Sequence, residues 1–344
     1  MRIGVICPSE IAYRRFMPAL QSVYGFEFAG ISVYSHNEMF SEETISECEY
    51  RIYHNIEEKK AEAFINEYGG VLFEGYETIV SQEDIDAMYI PLPPALHYMW
   101  AKRALEYGKN VLVEKPATIS EKETRELIRI AQSKGLAIHE NYMFIFHEQL
   151  NAIDEIIRSG EIGDVRLYRI SFGFPRRDTS DFRYNRVLGG GALIDAGGYT
   201  INYALRLLGD TAKIKYAQMN YLDGFEVDMY GSAALVNSDG VSAQVAFGMD
   251  NDYKCELEVW GSKGSLTTGR VLTAPVGYVP RVVIRKGNEE LKVDLPSDDA
   301  FLKSILFFKK CIEDQKTRME RYRTIMRQAE LIEEFRRMAG ICEK

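Results

Sequence analysis

The sequence has no apolar run near the ~18 residues that a membrane-spanning helix needs. Its five cysteines are scattered without a CxxC pair, and its five histidines are dispersed along the chain. These absences argue against a membrane span, a disulfide framework and a metal site, and they favour reduced thiols in a cytoplasm. The first six residues predict a strand rather than the apolar segment of a signal peptide. We therefore expect a cytoplasmic protein with no membrane partner and no metal.

Positive charge is also in short supply. Lys and Arg number 42 against 51 Asp and Glu, which gives a formal net charge of -9. Binding to nucleic acid phosphates requires a basic surface, so no nucleic-acid partner is expected. The composition is otherwise that of a globular protein, and the length predicts two domains.

Strands and helices alternate over the first third of the chain, beginning with a strand at 2–6 and a helix at 12–23. This rhythm predicts a parallel sheet of βαβ units with right-handed crossovers. After about residue 160, the segments 165–172, 213–220, 241–247 and 253–260 alternate apolar and polar residues between turn signals, which indicates antiparallel strands. The predicted fold class is α/β: a Rossmann doubly wound parallel sheet in residues 1–120, and an α/β domain with a large, mostly antiparallel open sheet in residues 121–344.

The tripeptide Glu114-Lys115-Pro116 closes the short apolar strand 110–113. A lysine at the carboxyl end of a parallel strand lies where open α/β sheets bind their ligands. Pro116 restricts the backbone of Lys115 to extended conformations. An ammonium held in this way can hydrogen-bond a substrate oxygen and stabilise charge that develops there. The alternative is an ordinary surface lysine that follows a strand.

The usual glycines of a dinucleotide-binding fingerprint are missing after the first strand. Cys7, Ser9 and Ala12 occupy the three glycine positions. Ser9 and Ala12 are small enough for close approach to a pyrophosphate and for helix packing, whereas Cys7 is tolerable only if its backbone avoids a positive φ. Taken alone, these residues are better interpreted as a strand–turn–helix that binds nothing.

The second strand ends without the Asp or Glu that NAD-preferring sites place on the ribose 2′-hydroxyl. Ser35 and His36 could instead hydrogen-bond a 2′-phosphate, so NADP(H) is favoured over NAD(H). Tyr34 could stack on the adenine. The alternative is that these three polar residues only open a loop.

Three further positions are candidates for cofactor contact. The fourth strand runs into a proline-rich loop, in which Leu92 and Pro93 are suited to lie along the cofactor. His97 begins a helix, where a packing or capping role and a ligand contact are equally good interpretations. Asn141 follows a strand and could hydrogen-bond a substrate hydroxyl or the nicotinamide amide.

A glycine run at 189–191 precedes Asp195 and Tyr199, which are four residues apart and so share one face of a helix. The glycines let the backbone approach a ligand or adopt conformations that a Cβ forbids. Asp195 could orient a sugar hydroxyl or pair with Lys115, and the Tyr199 phenol could give a proton to a developing alkoxide. Without further information, a packed tyrosine and a capping aspartate are the better interpretation.

Arginines are concentrated in the loop before these glycines, at Arg176, Arg177 and Arg183. Arginine forks suit a diphosphate, which a sugar nucleotide carries and a free sugar lacks. Arg176 and Arg177 are slightly better interpreted as solvated loop charge. Arg183, with Tyr184, is therefore the predicted substrate contact in this loop.

Three motifs in this order resemble the glucose-fructose oxidoreductase/inositol dehydrogenase/MocA (GFO/IDH/MocA) family: Glu114-Lys115-Pro116, Glu140-Asn141-Tyr142-Met143-Phe144 and the segment 189–202. The resemblance covers essentially the whole chain. Much of the family carries His where this chain has Tyr199, and the Tyr variant resembles the glucose-fructose oxidoreductase, NADP xylose dehydrogenase and sugar-nucleotide ketoreductase branches. The stretch 9–19 looks most like the ketoreductases, which reduce a keto group on a nucleotide-linked deoxysugar.

The resemblance implies an NAD(P)-dependent oxidoreductase that transfers hydride between nicotinamide and a carbonyl or carbinol carbon of a sugar, including a nucleotide-linked keto-deoxysugar. Lys115 would polarise the oxygen and Tyr199 would exchange the proton, with Asp195 beside them as a third catalytic residue. Asn202 would join Arg183 and Tyr184 in substrate binding. The implied cofactor contacts are Cys7, Ser9, Ile11, Ala12, Tyr34, Ser35, His36, Leu92, Pro93, His97, Glu114 and Asn141.

Two alternatives stay open. One is an NADP-dependent free-aldose dehydrogenase of the xylose type, and the other is a non-catalytic sensor that binds NADP and a sugar. The missing glycines motivate the sensor, whereas Lys115, Asp195 and Tyr199 argue against it. A large apolar sheet face is rarely left wet, so we expect a homodimer or homotetramer formed through the C-terminal sheet.

Overall fold

The computed structural model describes residues 1–39 and 46–340. They form two compact units. The first comprises Met1–Asn141 and Ser304–Met326, and the second comprises Tyr142–Lys303 and the residues from Arg327 onward. The expected boundary after residue 120 differs from this division, because the strand Ile138–Glu140, which lies beyond that residue, completes the sheet of the first unit.

The first unit is built on a six-stranded, all-parallel sheet with the strand order β3-β2-β1-β4-β5-β6. Its strands are β1 Arg2–Ile6, β2 Glu27–Val33, β3 Val71–Glu74, β4 Ala87–Ile90, β5 Asn110–Val113 and β6 Ile138–Glu140. This order is that of the doubly wound dinucleotide-binding fold, so the predicted Rossmann sheet is confirmed.

The helices of the first unit connect these strands. A π-helical turn, Ala12–Phe16, leads into α1 Met17–Gln21, and α2 Glu47–Tyr68, α3 Tyr76–Val80, α4 Pro94–Glu106 and α5 Glu121–Lys134 follow. In α5, Thr124, Leu127, Ile128 and Ala131 are buried at helical spacing, and Gly135 ends the helix with φ 69°. The sequence pattern does not predict β3 and α3, because β3 is a short edge strand with exposed ends.

The second unit carries an eight-stranded sheet with the strand order β14-β13-β12-β11-β7-β10-β9-β8. Only the β7–β10 pair within it is parallel, which confirms the predicted mostly antiparallel sheet. The strands are β7 Val165–Gly173, β8 Lys213–Tyr221, β9 Asp228–Val236, β10 Ser242–Gly248, β11 Lys254–Gly261, β12 Ser265–Gly269, β13 Arg281–Lys286 and β14 Glu289–Asp294. The sequence analysis did not find β9, which is rich in small residues, or β12 to β14 at the end of the sheet.

One face of this sheet is buried against helices. The helices of the second unit include α6 Glu148–Arg158 and α7 Gly198–Leu208, and a π-helical turn, Leu193–Gly197, runs directly into α7. The last two helices are α8 Ala300–Glu313 and α9 Gln315–Met338, of which residues 304–326 belong to the first unit. Residues such as Ile170, Val245 and Leu257 point to the buried face. Tyr216, Tyr230 and Trp260 lie exposed in the strands. No helix within the described ranges is long and apolar enough to cross a membrane.

Candidate active site

The loop after β1 follows the path that a glycine would favour. Cys7 has φ 73°, contrary to the expectation that it avoids a positive φ. A left-handed conformation costs a residue with a Cβ about 1 kcal/mol or more. The Cys7 N–H donates to the Ser32 carbonyl at 3.2 Å, and the Ser9 N–H donates to the Cys7 carbonyl at 2.9 Å. Cys7 therefore adopts the left-handed backbone conformation that a glycine would adopt at this position, at an energetic cost.

The Cys7 side chain packs beside a carboxylate. Its thiol donates to Glu57 Oε2 at 3.7 Å. Burial, and then the negative charge of Glu57, raise the pKa of the Cys7 thiol well above its ordinary range. The thiol therefore stays protonated and is no nucleophile at neutral pH.

The start of the first helical segment suits a phosphate. Ser9 Oγ accepts the Ala12 N–H at 3.2 Å, as an N-cap does. In the chain as described, no group accepts a hydrogen bond from the N–H of Glu10 or Ile11. Free N–H groups at a helix start bind anions, so this loop fits the pyrophosphate of a dinucleotide.

The first carboxylate after β2 is fully occupied. Glu38 accepts hydrogen bonds from the Ser35 N–H at 2.9 Å and the Ser35 hydroxyl at 2.8 Å, and from the N–H groups of Tyr76 and Glu77 at 2.8 Å each. Four donors leave this carboxylate poorly placed to bind the ribose 2′-hydroxyl as well. Glu38 is therefore poorly suited to be the ribose-binding carboxylate that NAD-preferring sites carry, in agreement with the prediction from the sequence.

Tyr34 and His36 belong to an aromatic cluster beyond β2. The Tyr34 ring meets Tyr50, His54 and Tyr76 edge-on, with centroids 6.2, 5.9 and 6.4 Å away. The His36 ring is exposed and lies 4.6 Å from Tyr50. Stacking of Tyr34 on adenine and a phosphate contact from His36 stay predictions.

The Glu114-Lys115-Pro116 segment follows β5, as predicted. The Glu114 carboxylate accepts the Tyr89 hydroxyl at 2.7 Å and Asn141 Nδ2 at 2.6 Å. The Asn141 carbonyl oxygen accepts the Ser304 hydroxyl at 2.8 Å, and the residue is only 1% exposed. The Asn141 amide is thus engaged at both ends by protein groups, against the interpretation that it reaches a substrate hydroxyl or the nicotinamide.

His97 is a fully buried link between two loops. Its Nδ1 lies 2.7 Å from the Pro116 carbonyl oxygen, and its Nε2 lies 2.7 Å from that of Leu92. Burial lowers the pKa of His97 to about 4, against the opposing effect of these two carbonyl contacts. Of the two interpretations of His97, the structure supports the packing role. Leu92 is itself buried in the core, while Pro93 immediately precedes α4.

Glu140 and Arg321 also hold the segment, although their roles were not predicted. The Glu140 carboxylate accepts the Ala117 N–H at 2.8 Å, and the Arg321 guanidinium donates to the Glu140 carbonyl. Burial raises the pKa of Glu140 to about 7. Arg321 lies far away in the sequence, so no local pattern could have shown this contact.

In the second unit, Tyr199 lies in the first turn of α7 within a pocket of aromatic rings. Its ring centroid is 5.2 Å from that of Tyr142, 5.7 Å from Phe144 and 5.3 Å from Phe172. Edge and tilted contacts of this kind fix a ring without using its hydroxyl. Asn202 is buried one turn further along the same helix.

Asp195 is held by an arginine. Arg183 Nε donates to Asp195 Oδ2 at 2.7 Å, and Arg183 Nη1 donates to Asp181 at 3.1 Å. The Arg183 and Asp195 side chains are 20% and 12% exposed, so this charge-assisted bond is largely shielded from water. The Arg183 fork therefore serves two carboxylates, and a diphosphate contact from it stays a prediction.

The neighbouring loop residues have partners of their own. Arg176 forms a two-bond ion pair with Asp250 at 2.7 and 2.9 Å, in keeping with its interpretation as loop charge. The Tyr184 hydroxyl accepts the Arg177 N–H at 2.8 Å. The Tyr184 ring packs against Phe225 with centroids 5.1 Å apart.

The glycine-rich segment is explained by packing within this unit. Gly191 has φ 120°, and a Cβ there would lie 2.3 Å from Asp228 Oδ1. A Cβ on Gly198 would lie 2.2 Å from the Tyr142 hydroxyl. Of the two interpretations of the glycine run, the structure supports conformations and close contacts that a Cβ forbids.

Asp228 is a supporting residue that the sequence analysis missed. Its Oδ2 accepts the Leu193 N–H at 2.6 Å, at the start of the helical segment that carries Asp195 and Tyr199. Burial raises the pKa of Asp228 from 3.8 to about 6. The two residues are far apart in sequence, so only the folded chain brings them together.

Asp228→Asn should change how stability depends on pH. The Asp228 carboxyl keeps its proton to a higher pH in the folded protein than in the unfolded chain. The stabilisation that results is fully present below pH 3.8 and is lost as the pH rises through about 6. A shift of roughly two units corresponds to about 3 kcal/mol. Urea denaturation measures the free energy of unfolding at pH 4 and at pH 7. This free energy should fall less between the two pH values in the variant than in the wild type. Asp223→Asn, at an exposed site, is the control, and equal falls in all three proteins would contradict the assignment.

The fold and these residues define a dinucleotide-dependent oxidoreductase, and comparison with known proteins identifies its family. Residues 28–142 match the oxidoreductase family with an NAD-binding Rossmann fold, and residues 150–267 match the GFO/IDH/MocA C-terminal domain. The chain belongs to the GFO/IDH/MocA family. It is an NAD(P)-dependent oxidoreductase, as the sequence motifs predicted.

Several relatives are similar over nearly the whole chain. The dTDP-3,4-didehydro-2,6-dideoxy-alpha-D-glucose 3-reductase of Streptomyces violaceoruber is 34% identical and covers 99% of this chain and 96% of its own. KijD10, a 3-ketoreductase from Actinomadura kijaniata solved with NADP and TDP-benzene, is 34% identical with a TM-score of 0.87, over 98% of this chain and 97% of its own. D-xylose 1-dehydrogenase (NADP(+)) 2 of Haloferax volcanii is 27% identical and covers 76% of this chain and 80% of its own.

KijD10 has also been solved with one lysine replaced and with one tyrosine replaced. These two positions are as many residues apart in KijD10 as Lys115 and Tyr199 are here.

Proposed function

We propose that this protein is an NADPH-dependent 3-ketoreductase that acts on a dTDP-linked keto-deoxysugar. The observation that carries the proposal is the lysine–tyrosine spacing shared with KijD10, in a chain that is similar to KijD10 from end to end. The helical segment that presents Asp195 and Tyr199 supports it, because both side chains are held by their surroundings.

In this proposal, the side chains divide the work on one carbonyl group. When bound, NADPH supplies the hydride to the carbonyl carbon. Lys115 donates a hydrogen bond to the carbonyl oxygen and stabilises the negative charge that develops there. Tyr199 transfers its phenolic proton to that oxygen, which completes the hydroxyl, and regains a proton from solvent. Asp195, oriented by Arg183, accepts a hydrogen bond from a sugar hydroxyl.

The cofactor is proposed to be NADP(H), and NADPH should bind more tightly than NADH. Glu38 is occupied by four backbone and side-chain donors. Two of these donors are the N–H and the hydroxyl of Ser35, against the interpretation that Ser35 binds a 2′-phosphate, so the exposed His36 is the candidate for that contact. Fluorescence titration of both reduced cofactors measures the preference. His36→Ala should weaken the binding of NADPH and leave that of NADH unchanged, because NADH has no 2′-phosphate. Tighter binding of NADH to the wild type would contradict the assignment.

A substrate screen tests the proposed activity. Purified protein should oxidise NADPH with dTDP-linked keto-deoxysugars and should show little reaction with free aldoses and NADP. Turnover of free aldoses alone would favour the aldose dehydrogenase. Binding of NADPH and a sugar without any turnover would favour the sensor, whose motivation is the strained, glycine-poor turn at Cys7.

The second candidate function, a free-aldose dehydrogenase, is favoured by one observation. Arg183 is shared by Asp181 and Asp195, so the arginine proposed for a diphosphate has other partners. A free aldose needs no such contact.

Arg183→Ala should separate these roles. Loss of a charge-assisted hydrogen bond to Asp195, worth about 1.5–3 kcal/mol, should lower kcat/KM at least tenfold. A diphosphate contact would add a rise in KM confined to the nucleotide-linked substrate. Arg176→Ala, in the same loop, is the matched control and should leave both constants unchanged. Unchanged constants for Arg183→Ala would contradict both roles.

The assembly and location are proposals as well. A homodimer or homotetramer formed through the eight-stranded sheet would cover the exposed Tyr216, Tyr230 and Trp260, which fits the rarity of large wet apolar faces. The scattered cysteines, of which the described ones are free thiols, support a cytoplasmic location.

A further inference from the structure

Four side chains of the first unit form a continuous hydrogen-bonded row that ends at Glu114. His139 Nε2 lies 2.9 Å from Ser304 Oγ, which donates to Asn141 Oδ1 at 2.8 Å. Asn141 Nδ2 then donates to Glu114 Oε1 at 2.6 Å. His139, Ser304 and Asn141 are at most 1% exposed, so water does not compete for these bonds. Ser304 comes from α8, far from the other three in sequence.

The row has one direction, which its chemistry fixes. A carboxylate only accepts, so the amide nitrogen of Asn141 must face Glu114 and its oxygen must face Ser304. The single Ser304 hydroxyl proton is therefore used toward Asn141. His139 Nε2 must then carry a proton and donate to Ser304. Every donor in the row points toward Glu114, and such aligned bonds strengthen one another.

The end of the row adjoins the proposed catalytic lysine. Glu114 directly precedes Lys115, and the backbone N–H of Asn141 also donates to the Val113 carbonyl at 2.9 Å. Asn141 therefore hydrogen-bonds both the last residue of β5, through its backbone, and the Glu114 carboxylate, through its side chain. The ionisable groups that act on Glu114 are Tyr89, through its hydroxyl, and Lys115, through its charge.

We propose that Ser304 is a positioning residue, which acts through Asn141 to fix the Glu114 carboxylate and the adjoining Lys115 for cofactor and substrate. The consequence for catalysis rests on the proposed function. The consequence for NADPH binding does not, because the carboxyl end of β5 borders the crevice in which such sheets bind their cofactor.

The test compares three single variants of the full chain with the wild type. Ser304→Ala removes the hydroxyl, and Ser304→Cys keeps a weak donor of similar shape. Asn141→Asp keeps an acceptor for Ser304 but places a second carboxylate against Glu114. The matched control is Tyr322→Phe, which removes another largely buried hydroxyl of this unit, the one that donates to the Leu136 carbonyl. NADPH dissociation constants are measured by fluorescence between about pH 6 and pH 9, with thermal unfolding as a check of folding.

Ser304→Ala should raise the NADPH dissociation constant about fivefold, the effect of one net hydrogen bond, and lower kcat similarly. Ser304→Cys should lie between it and the wild type, while Tyr322→Phe should stay within about twofold of the wild type. Asn141→Asp should bind NADPH progressively worse than the wild type as pH rises, because two adjacent carboxylates share a proton only at low pH.

Equal dissociation constants for Ser304→Ala and Tyr322→Phe would overturn the proposal, as would a pH profile of Asn141→Asp that parallels the wild type. If Ser304→Ala does not fold, Ser304→Cys and Asn141→Asp decide by the same criteria. If the wild type binds NADPH but reduces no nucleotide-linked keto sugar, the proposed activity fails while the binding comparison still tests the positioning role.

Discussion

Tyr199→Phe should lower kcat by about 10²–10⁴-fold, the usual contribution of a positioned general acid, while NADPH binding stays near normal. The change removes only the phenolic hydroxyl. The ring keeps its contacts with Tyr142, Phe144 and Phe172, so the fold should be retained. The measurement is steady-state oxidation of NADPH with a verified keto-sugar substrate.

Tyr203→Phe is the matched control for this loss. Tyr203 lies one turn further along α7 and is fully buried, and no described residue accepts a hydrogen bond from its hydroxyl. Its removal should leave kcat unchanged and should not reduce stability, because it deletes a buried group without a partner. Full activity in Tyr199→Phe would exclude Tyr199 as the proton donor.

Lys115→Ala should reduce kcat by at least as much, about 10²-fold or more, because it removes the charge proposed to stabilise the developing oxyanion. The segment around it should keep its place, since its neighbours are held by other side chains. Glu114 is bonded to Tyr89 and Asn141, and the Pro116 carbonyl lies against His97. Lys122→Ala, an exposed lysine of α5, should show wild-type rates.

Combining Lys115→Ala with Tyr199→Phe tests whether the two residues act on the same step. Residues that act as a unit give losses that are far from additive, so the double variant should be little slower than the slower single variant. Losses that multiply would show independent roles. Retention of full activity by Lys115→Ala would contradict its assignment.

Much of the fold could be predicted from the sequence, because short-range patterns of residues indicate many of its strands and helices. The buried strands at 2–6 and 110–113 are short apolar runs, and the structure has the same two strands. Their alternation with helices is enough to predict a parallel sheet, because parallel strands need crossover connections. Edge strands such as β3 and β14 escaped detection, since a strand that is not buried on both faces carries no continuous apolar run.

The candidate site also has features that the sequence predicts and features that depend on the tertiary structure. The sequence by itself determined which chemical groups are available: an ammonium after β5, a phenol and a carboxylate four residues apart, and a loop after β1 without the usual glycines. These follow from residue type and short-range spacing, which the chain carries whatever its surroundings.

Only the tertiary structure decided which partner each group has. Arg183 bonds to Asp195, Ser304 reaches Asn141, and Asp228 caps the start of the segment that bears Tyr199. Hydrogen bonds and ion pairs depend on distances of about 3 Å between atoms that the chain brings together from remote positions. No local pattern encodes such distances, because they are set by the packing of the whole core, and the same packing gives Cys7 a backbone conformation that its residue type disfavours.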